Sequence, residues 1–134
     1  MNERPQVVVV EDDDILASFL VQRLTLEHMN PIRYANGVDA VSGIVTAPKK
    51  VDLILLDISL PDIDGFELLK RISAFQAVAQ IPVIIVSNFS QEADIAWGKK
   101  LGVKKFLNKA SVTPVEIVTI ASEVLSEFTK EARV

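Results

Sequence analysis

Three aliphatic runs, Val7 to Val10, Leu53 to Leu56 and Ile81 to Val86, are broken only by Pro82, and each stops at polar side chains. Runs without polar alternation suit strands covered on both faces, as in the parallel sheets of α/β domains, and not half-solvated strands. The stops are Glu11 and Asp12 after the first run, Asp57 after the second and Ser87 after the third. In open parallel sheets ligands bind beyond the carboxyl ends of the strands, so chemistry is expected at these stops. Singly, each has a plainer explanation. Asp57 suits a turn, Glu11 to Asp14 a solvated helix start favoured by the helix dipole, and Ser87 an ordinary strand end. Their joint placement along one sheet is what points to a site.

The intervening segments read as helices and turns. Ile15, Leu16, Phe19, Leu20 and Leu24 have helical spacing, Asn30-Pro31 breaks that helix, and Ile32 to Ala35 is a short strand. Asn36-Gly37 signals a turn before a helix over Val38 to Thr46, and Phe66, Leu68, Leu69 and Ile72 predict another after Gly65. Ser90 is an N-cap for a fourth helix through Leu101, with Gly102 as its stop. Val103 to Leu107 is a fifth strand interrupted by Lys104 and Lys105. Thr113-Pro114 opens a last helix whose Ile117, Val118, Ala121, Val124, Leu125 and Phe128 form one stripe. Strands alternating with helices in this way predict an α/β fold with a doubly wound, five-stranded parallel sheet. One domain is expected over residues 1–134, with its core at about 6–128 and a charged tail at 130–134.

Composition narrows the chemistry. Aromatics are only 6% of the chain, so the core must be aliphatic, and the net charge of −4 disfavours direct nucleic-acid binding. No apolar run approaches the ~20 residues of a membrane span, so no membrane insertion and a cytoplasmic location are expected. The absence of cysteine and the single histidine, His28, exclude thiolate and multi-histidine metal sites. Carboxylates, hydroxyls and lysines remain. If the first and third strands are neighbours, Glu11, Asp12 and Asp57 converge. At ~5 Å and an effective dielectric of ~20 each like-charge pair costs roughly 3 kcal/mol, so a compensating cation is needed. A hard divalent ion, Mg2+ before others, matches oxygen donors.

Four motifs then stand in order: Val10-Glu11-Asp12-Asp13, Leu56-Asp57 with Leu60-Pro61-Asp62-Ile63-Asp64-Gly65, Val86-Ser87, and Phe106-Leu107-Asn108-Lys109. Together, from Val7 to about Phe128, they resemble the receiver domain of two-component response regulators. The resemblance implies a flavodoxin-like (βα)5 fold with strand order 2-1-3-4-5. It implies that Asp57 accepts a phosphoryl group from a phosphohistidine on a sensor histidine kinase or a histidine phosphotransfer protein. Asp12, Asp57 and the Ser59 backbone carbonyl would bind Mg2+, with Glu11 acting through water. Ser87 and Lys109 would contact the phosphoryl oxygens, and Ser87 and Phe106 would be the switch pair. Such a receiver catalyses its own phosphorylation and slow dephosphorylation, and is no enzyme for an outside substrate. It would signal to an effector, or self-associate, through the face of the fourth helix, fifth strand and fifth helix. On that helix Ala93, Ala96, Trp97 and Leu101 share one stripe, which leaves Ile95 on the opposite side near Lys99 and exposed beside Phe106, and Ile95, Lys99 and Lys105 are the expected partner surface.

Several positions depart from the common pattern of the family. Ala110 replaces the usual proline after the lysine, so a trans peptide or a rearranged loop is expected there. Asn88 is larger than the usual neighbour of Ser87. Ser59 and Phe89 occupy the positions that govern attack of water on the acyl phosphate, and apolar Phe89 is expected to prolong it. Asn88 and Ala110 leave room for a second reading, a receiver-shaped docking or dimerisation module that is little phosphorylated. A small-molecule phosphohydrolase fits poorly, because Ser59 rather than an acid stands two residues beyond Asp57.

Overall fold

The computed structural model describes residues 3–47, 49–88 and 91–133. The elements run β1 (Gln6–Val10), α1 (Asp14–Leu26), β2 (Asn30–Tyr34), α2 (Gly37–Val45), β3 (Leu53–Leu56), α3 (Gly65–Ser73), β4 (Val83–Ser87), α4 (Glu92–Lys100), β5 (Lys105–Asn108) and α5 (Pro114–Arg133). Among the described residues the strands form one parallel sheet in the order β2-β1-β3-β4-β5, as expected.

The unbroken aliphatic runs are explained by two cores, one on each face. Val8, Val10, Ile54, Leu56 and Ile85 pack with Ala40, Ile44, Leu68, Leu69 and Ile72 of α2 and α3. Val7, Val9, Leu53, Leu55, Ile84 and Val86 point the other way, onto Leu20 and Leu24 of α1 and Ile117, Val118, Ala121 and Val124 of α5. Successive strand residues alternate between faces, so every position of β1, β3 and β4 is buried.

Helix starts are capped by side chains that the sequence presents locally. Asp13 accepts from the backbone N–H groups of Ile15 and Leu16 at 2.9 and 3.1 Å, and Asp64 from Glu67 at 2.8 Å. Thr113 and Glu116 make a reciprocal capping box at 3.0 and 3.1 Å before α5. Each such cap stabilises its helix by about 1 kcal/mol.

Four sequence expectations need correction. α1 ends at Leu26 with Glu27 as its C-cap, followed by His28 with φ of 63°, and Pro31 lies inside edge strand β2 paired with Val7 instead of serving as the breaker. An edge strand tolerates proline because the missing donor can face away from its neighbour. α5 continues to Arg133, so residues 130–133, expected as a tail, are helical. Ser90 lies outside the described residues, and the N-cap position of α4 is Gln91, which makes no side-chain capping bond.

The stripe assigned to α4 is also rotated from its true inner face. Gly98 is the buried residue of α4 and Ile95 is half-buried, whereas Ala93, Ala96 and Trp97 are exposed. A Cβ on Gly98 would stand 3.1 Å from Val103 and 3.2 Å from Phe106, so this glycine lets α4 lie close against the sheet. Hydrophobic spacing overlooks a glycine contact because glycine contributes no apolar side chain. Gly102, with φ of 85°, does end the helix segment as expected.

Candidate functional site

The sheet's hydrogen-bond ladders continue one step beyond the strands and thereby align the polar stops. Glu11 N–H donates to the Tyr34 carbonyl at 3.1 Å, Asp57 N–H to Val10 at 3.0 Å and Lys109 N–H to Ser87 at 3.0 Å. Because β1 lies between β2 and β3, the carboxylates of Glu11, Asp12 and Asp57 meet, with one oxygen of each within 4.8 Å of the others. Glu11 and Asp57 are buried and Asp12 is exposed at the mouth.

Lys109 reaches into this cluster from the loop after β5. Its Nζ donates to Glu11 Oε1 at 2.7 Å and to Asp57 Oδ2 at 2.9 Å. Burial alone would lower the Lys109 pKa, but the hydrogen bonds and charges of Glu11 and Asp57 outweigh it and hold the ammonium above its ordinary value. Burial pushes Glu11 up. The bonds from Lys109 and the Asp13 N–H oppose that rise and the charge of Asp57 adds to it. Among the described residues, three carboxylates therefore crowd together with one ammonium that pairs with two of them, which leaves the cluster short of positive charge. Clustered hard oxygen donors of this kind fit Mg2+ and not a soft metal.

The loop beyond Asp57 is held by several short contacts. Asp57 Oδ1 accepts from the Ser59 N–H at 3.0 Å, and Gly65 N–H donates to the Ile58 carbonyl at 2.8 Å. A Cβ on Gly65 would stand 2.7 Å from the Asp57 carbonyl oxygen, so the return of the chain past Asp57 requires glycine. Asp62 spans to the start of α2, accepting from Gly37 N–H and Val38 N–H at 2.8 Å each. These bonds, Val38 foremost, hold its carboxyl below the ordinary 3.8, against a smaller opposing effect of desolvation.

The structure thus brings together Glu11, Asp12, Asp57 and Lys109. Ser87 is fully buried at the end of β4, Asn88 is exposed beside it, and Ser59 is exposed next to the cluster. Phe106 is half-buried, in register with Ile85 of the neighbouring β4 and against Gly98, while Lys99 and Lys105 are exposed on the α4 and β5 side. Phe89 lies outside the described residues. Among the described residues no peptide bond is cis, so Lys109–Ala110 is trans as expected, and Asn108 Oδ1 receives the Ala110 N–H at 2.8 Å.

Two residues near the cluster were not anticipated. Asp62 stands in the sequence only as part of a motif, and its docking on α2 depends on a contact between segments 24 and 25 residues apart. Arg33 donates through Nε and Nη2 to the Glu11 carbonyl at 2.9 and 2.8 Å, and through Nη2 to Asp14 at 2.9 Å. A charge inside an otherwise uncharged strand was the available signal.

Residues 7–122 match the family model for the response regulator receiver domain. The chain belongs to that family. Protein PilH of Pseudomonas aeruginosa is 29% identical over 119 residues, which cover 89% of this chain and 93% of PilH. The transcriptional regulatory protein CssR of Bacillus subtilis is 32% identical over 126 residues, covering 94% of this chain and 53% of CssR. The chain therefore spans nearly all of one relative and about half of another. A CheY-like response regulator receiver domain protein from Methanospirillum hungatei superposes with a TM-score of 0.84 at 23% identity, over 96% of this chain and 98% of that one, which shows the shared fold. As a receiver domain of two-component response regulators, the chain serves phosphorylation-based signalling. Among the described residues no helix is long and apolar enough to cross a membrane.

Proposed function

We propose that Asp57 is the phosphoacceptor of a Mg2+-dependent switch loaded by a phosphohistidine on a sensor kinase or phosphotransfer protein. The observation that carries this reading is the pairing of a buried Asp57 with Lys109 inside a three-carboxylate cluster. A carboxylate oxygen of Asp57 attacks phosphorus, the bond to the histidine nitrogen breaks, and the imidazole leaves with the electron pair. Lys109 remains protonated through this step and ion-pairs with the incoming phosphoryl oxygens. Mg2+, held by Asp12, Asp57 and the Ser59 carbonyl with Glu11 behind a water, would neutralise charge on the transferring group. The Ser87 hydroxyl would bond a phosphoryl oxygen, and Phe106 would follow it inward.

The receiver acts on itself and on no outside substrate, in the cytoplasm where its donor is loaded. Ile15, 85% exposed in the first turn after Asp12 and Asp13, and Phe19 one turn on, give the donor protein an apolar rim beside the cluster. Readout through α4, β5 and α5 would use Lys99, Lys105 and exposed Trp97, with Ile95 half-buried beneath.

Incubation with Mg2+ and acetyl phosphate should add one phosphoryl group, stable to acid and labile to base, that maps to Asp57 and is absent from Asp57→Asn. An unmodified wild-type protein would instead favour the docking module. Rapid turnover of varied phosphate esters would favour a hydrolase.

A further inference from the structure

Arg33 is the one charged residue in the first four strands, and its geometry is specific. It pairs with Val9 in the register of edge strand β2, on the α1 side of the sheet. Its side chain is 27% exposed, and its fork closes on a single backbone oxygen, the Glu11 carbonyl, with two bonds of 2.9 and 2.8 Å.

Glu11 is thereby gripped at both of its backbone groups by the same strand. Its N–H reaches the Tyr34 carbonyl at 3.1 Å and its C=O takes the Arg33 fork. A peptide unit is planar, so fixing the Glu11 carbonyl fixes the orientation of the Glu11–Asp12 peptide and the direction in which Asp12 leaves it. On the far side Asp13 is fixed as the cap of α1, and its N–H donates to Glu11 Oε2 at 3.1 Å. Asp12, the exposed member of the carboxylate cluster, is held between these two anchors.

We infer that Arg33 is a positioning residue for the cation site: its guanidinium fork sets the Glu11–Asp12 peptide so that both carboxylates face Asp57. This rests on the Mg2+-dependent reading above. The second arm of Arg33, to Asp14 at 2.9 Å, lies on an exposed carboxylate and is secondary, since exposed ion pairs contribute little.

The role has a signature that charge alone would not produce. A guanidinium near an acidic cluster repels Mg2+, so removing only its charge would tighten the ion, whereas removing its fork loosens the ligands. A lysine keeps the charge and cannot bond one carbonyl through a planar fork. Mg2+ binding to the full chain should be measured by titration calorimetry for wild type, Arg33→Lys, Arg33→Gln and Asp14→Asn, with thermal unfolding in EDTA alongside. Arg33→Lys and Arg33→Gln should each weaken Mg2+ by about two- to tenfold, the size of one or two hydrogen bonds. Asp14→Asn should stay within about twofold of wild type, since it leaves the carbonyl fork intact. Unchanged affinity in Arg33→Lys, even with a lowered melting temperature, would overturn the proposal, as would tighter binding in Arg33→Gln or an equal loss in Asp14→Asn. If Arg33→Gln does not fold, Arg33→Lys decides. Failure of the wild type to bind Mg2+ would overturn both this role and the metal reading, whereas wild-type binding with unaltered variants would overturn this role alone.

Discussion

At the amino ends of the strands polar groups meet in matched pairs. Asp52 accepts the Gln6 N–H at 2.8 Å and returns its own N–H to the Gln6 carbonyl at 2.8 Å, while the Asn30 amide donates to Gln6 Oε1 at 2.7 Å. At the carboxyl ends Glu11, Asp12 and Asp57 crowd together, and Lys109 pairs with Glu11 and Asp57. Among the described residues no buried polar side-chain atom lacks a partner at either end, so hydrogen-bond satisfaction does not separate them. Charge balance does. Nor does volume mark the site: a cavity of about 380 Å³ opens at the amino end, lined by Lys50, Asp52, Pro82 and Phe128 among others and by none of Glu11, Asp12 and Asp57. The end whose one carboxylate, Asp52, is bonded by the Gln6 N–H serves the fold, and the end where three carboxylates crowd around one ammonium suits a cation.

The largest blow to this contrast should come from Lys109→Met. It leaves two buried carboxylates uncompensated and should destabilise the protein by roughly 3–5 kcal/mol in EDTA at neutral pH. The sign with pH follows from Glu11. Its pKa is already raised in the folded state, so protonation favours the fold, and the penalty should shrink as pH falls. Added Mg2+ should recover part of it. Urea unfolding with and without Mg2+ at two pH values measures all three effects, and a variant as stable as wild type would show that the carboxylates are not short of positive charge.

Gly65→Ala should come next, at about 1–3 kcal/mol, because its Cβ meets the Asp57 carbonyl oxygen and backbone must shift. The same variant should slow phosphorylation by acetyl phosphate. A stability loss without slowing would detach the loop from the site. At the matched end Asn30→Ala should cost about 1 kcal/mol, with the phosphorylation rate unaltered, since it removes a single neutral bond. Equal damage to rate at this end would break the comparison.

The smallest effect is expected from Asp62→Asn, and only pH reveals its origin. The folded pKa of Asp62 is depressed below 3.8, so its ionised form stabilises the protein above that value, and the contribution is lost as pH falls through the depressed pKa. Wild type should therefore exceed Asp62→Asn by a constant margin near neutrality and converge with it in acid. Parallel melting curves down to low pH would show that the docking on α2 is not carried by the charge.

Much of this architecture is written locally. Val7 to Val10 and Leu53 to Leu56 show two-sided burial over four residues, and Asp13, Asp64 and Thr113 show their capping roles within three. The acidic and lysine motifs identified the cluster through a resemblance, and the family match and geometry agree with it. The inner face of α4 was not legible, because Gly98 carries that contact through the absence of a side chain and Ile95 lost its expected exposure. Nor was the end of α1, where His28 takes a positive φ before the proline is reached.

By itself the sequence determined which strands are buried, where they stop and which polar residues stand at their ends, since burial and capping are decided by neighbours a few residues apart. Only the tertiary structure decided which of those residues touch. Lys109 meets Asp57 across 52 residues and Arg33 meets the Glu11 carbonyl across 22, because sheet order and register bring these segments together and no local pattern records the distance between them.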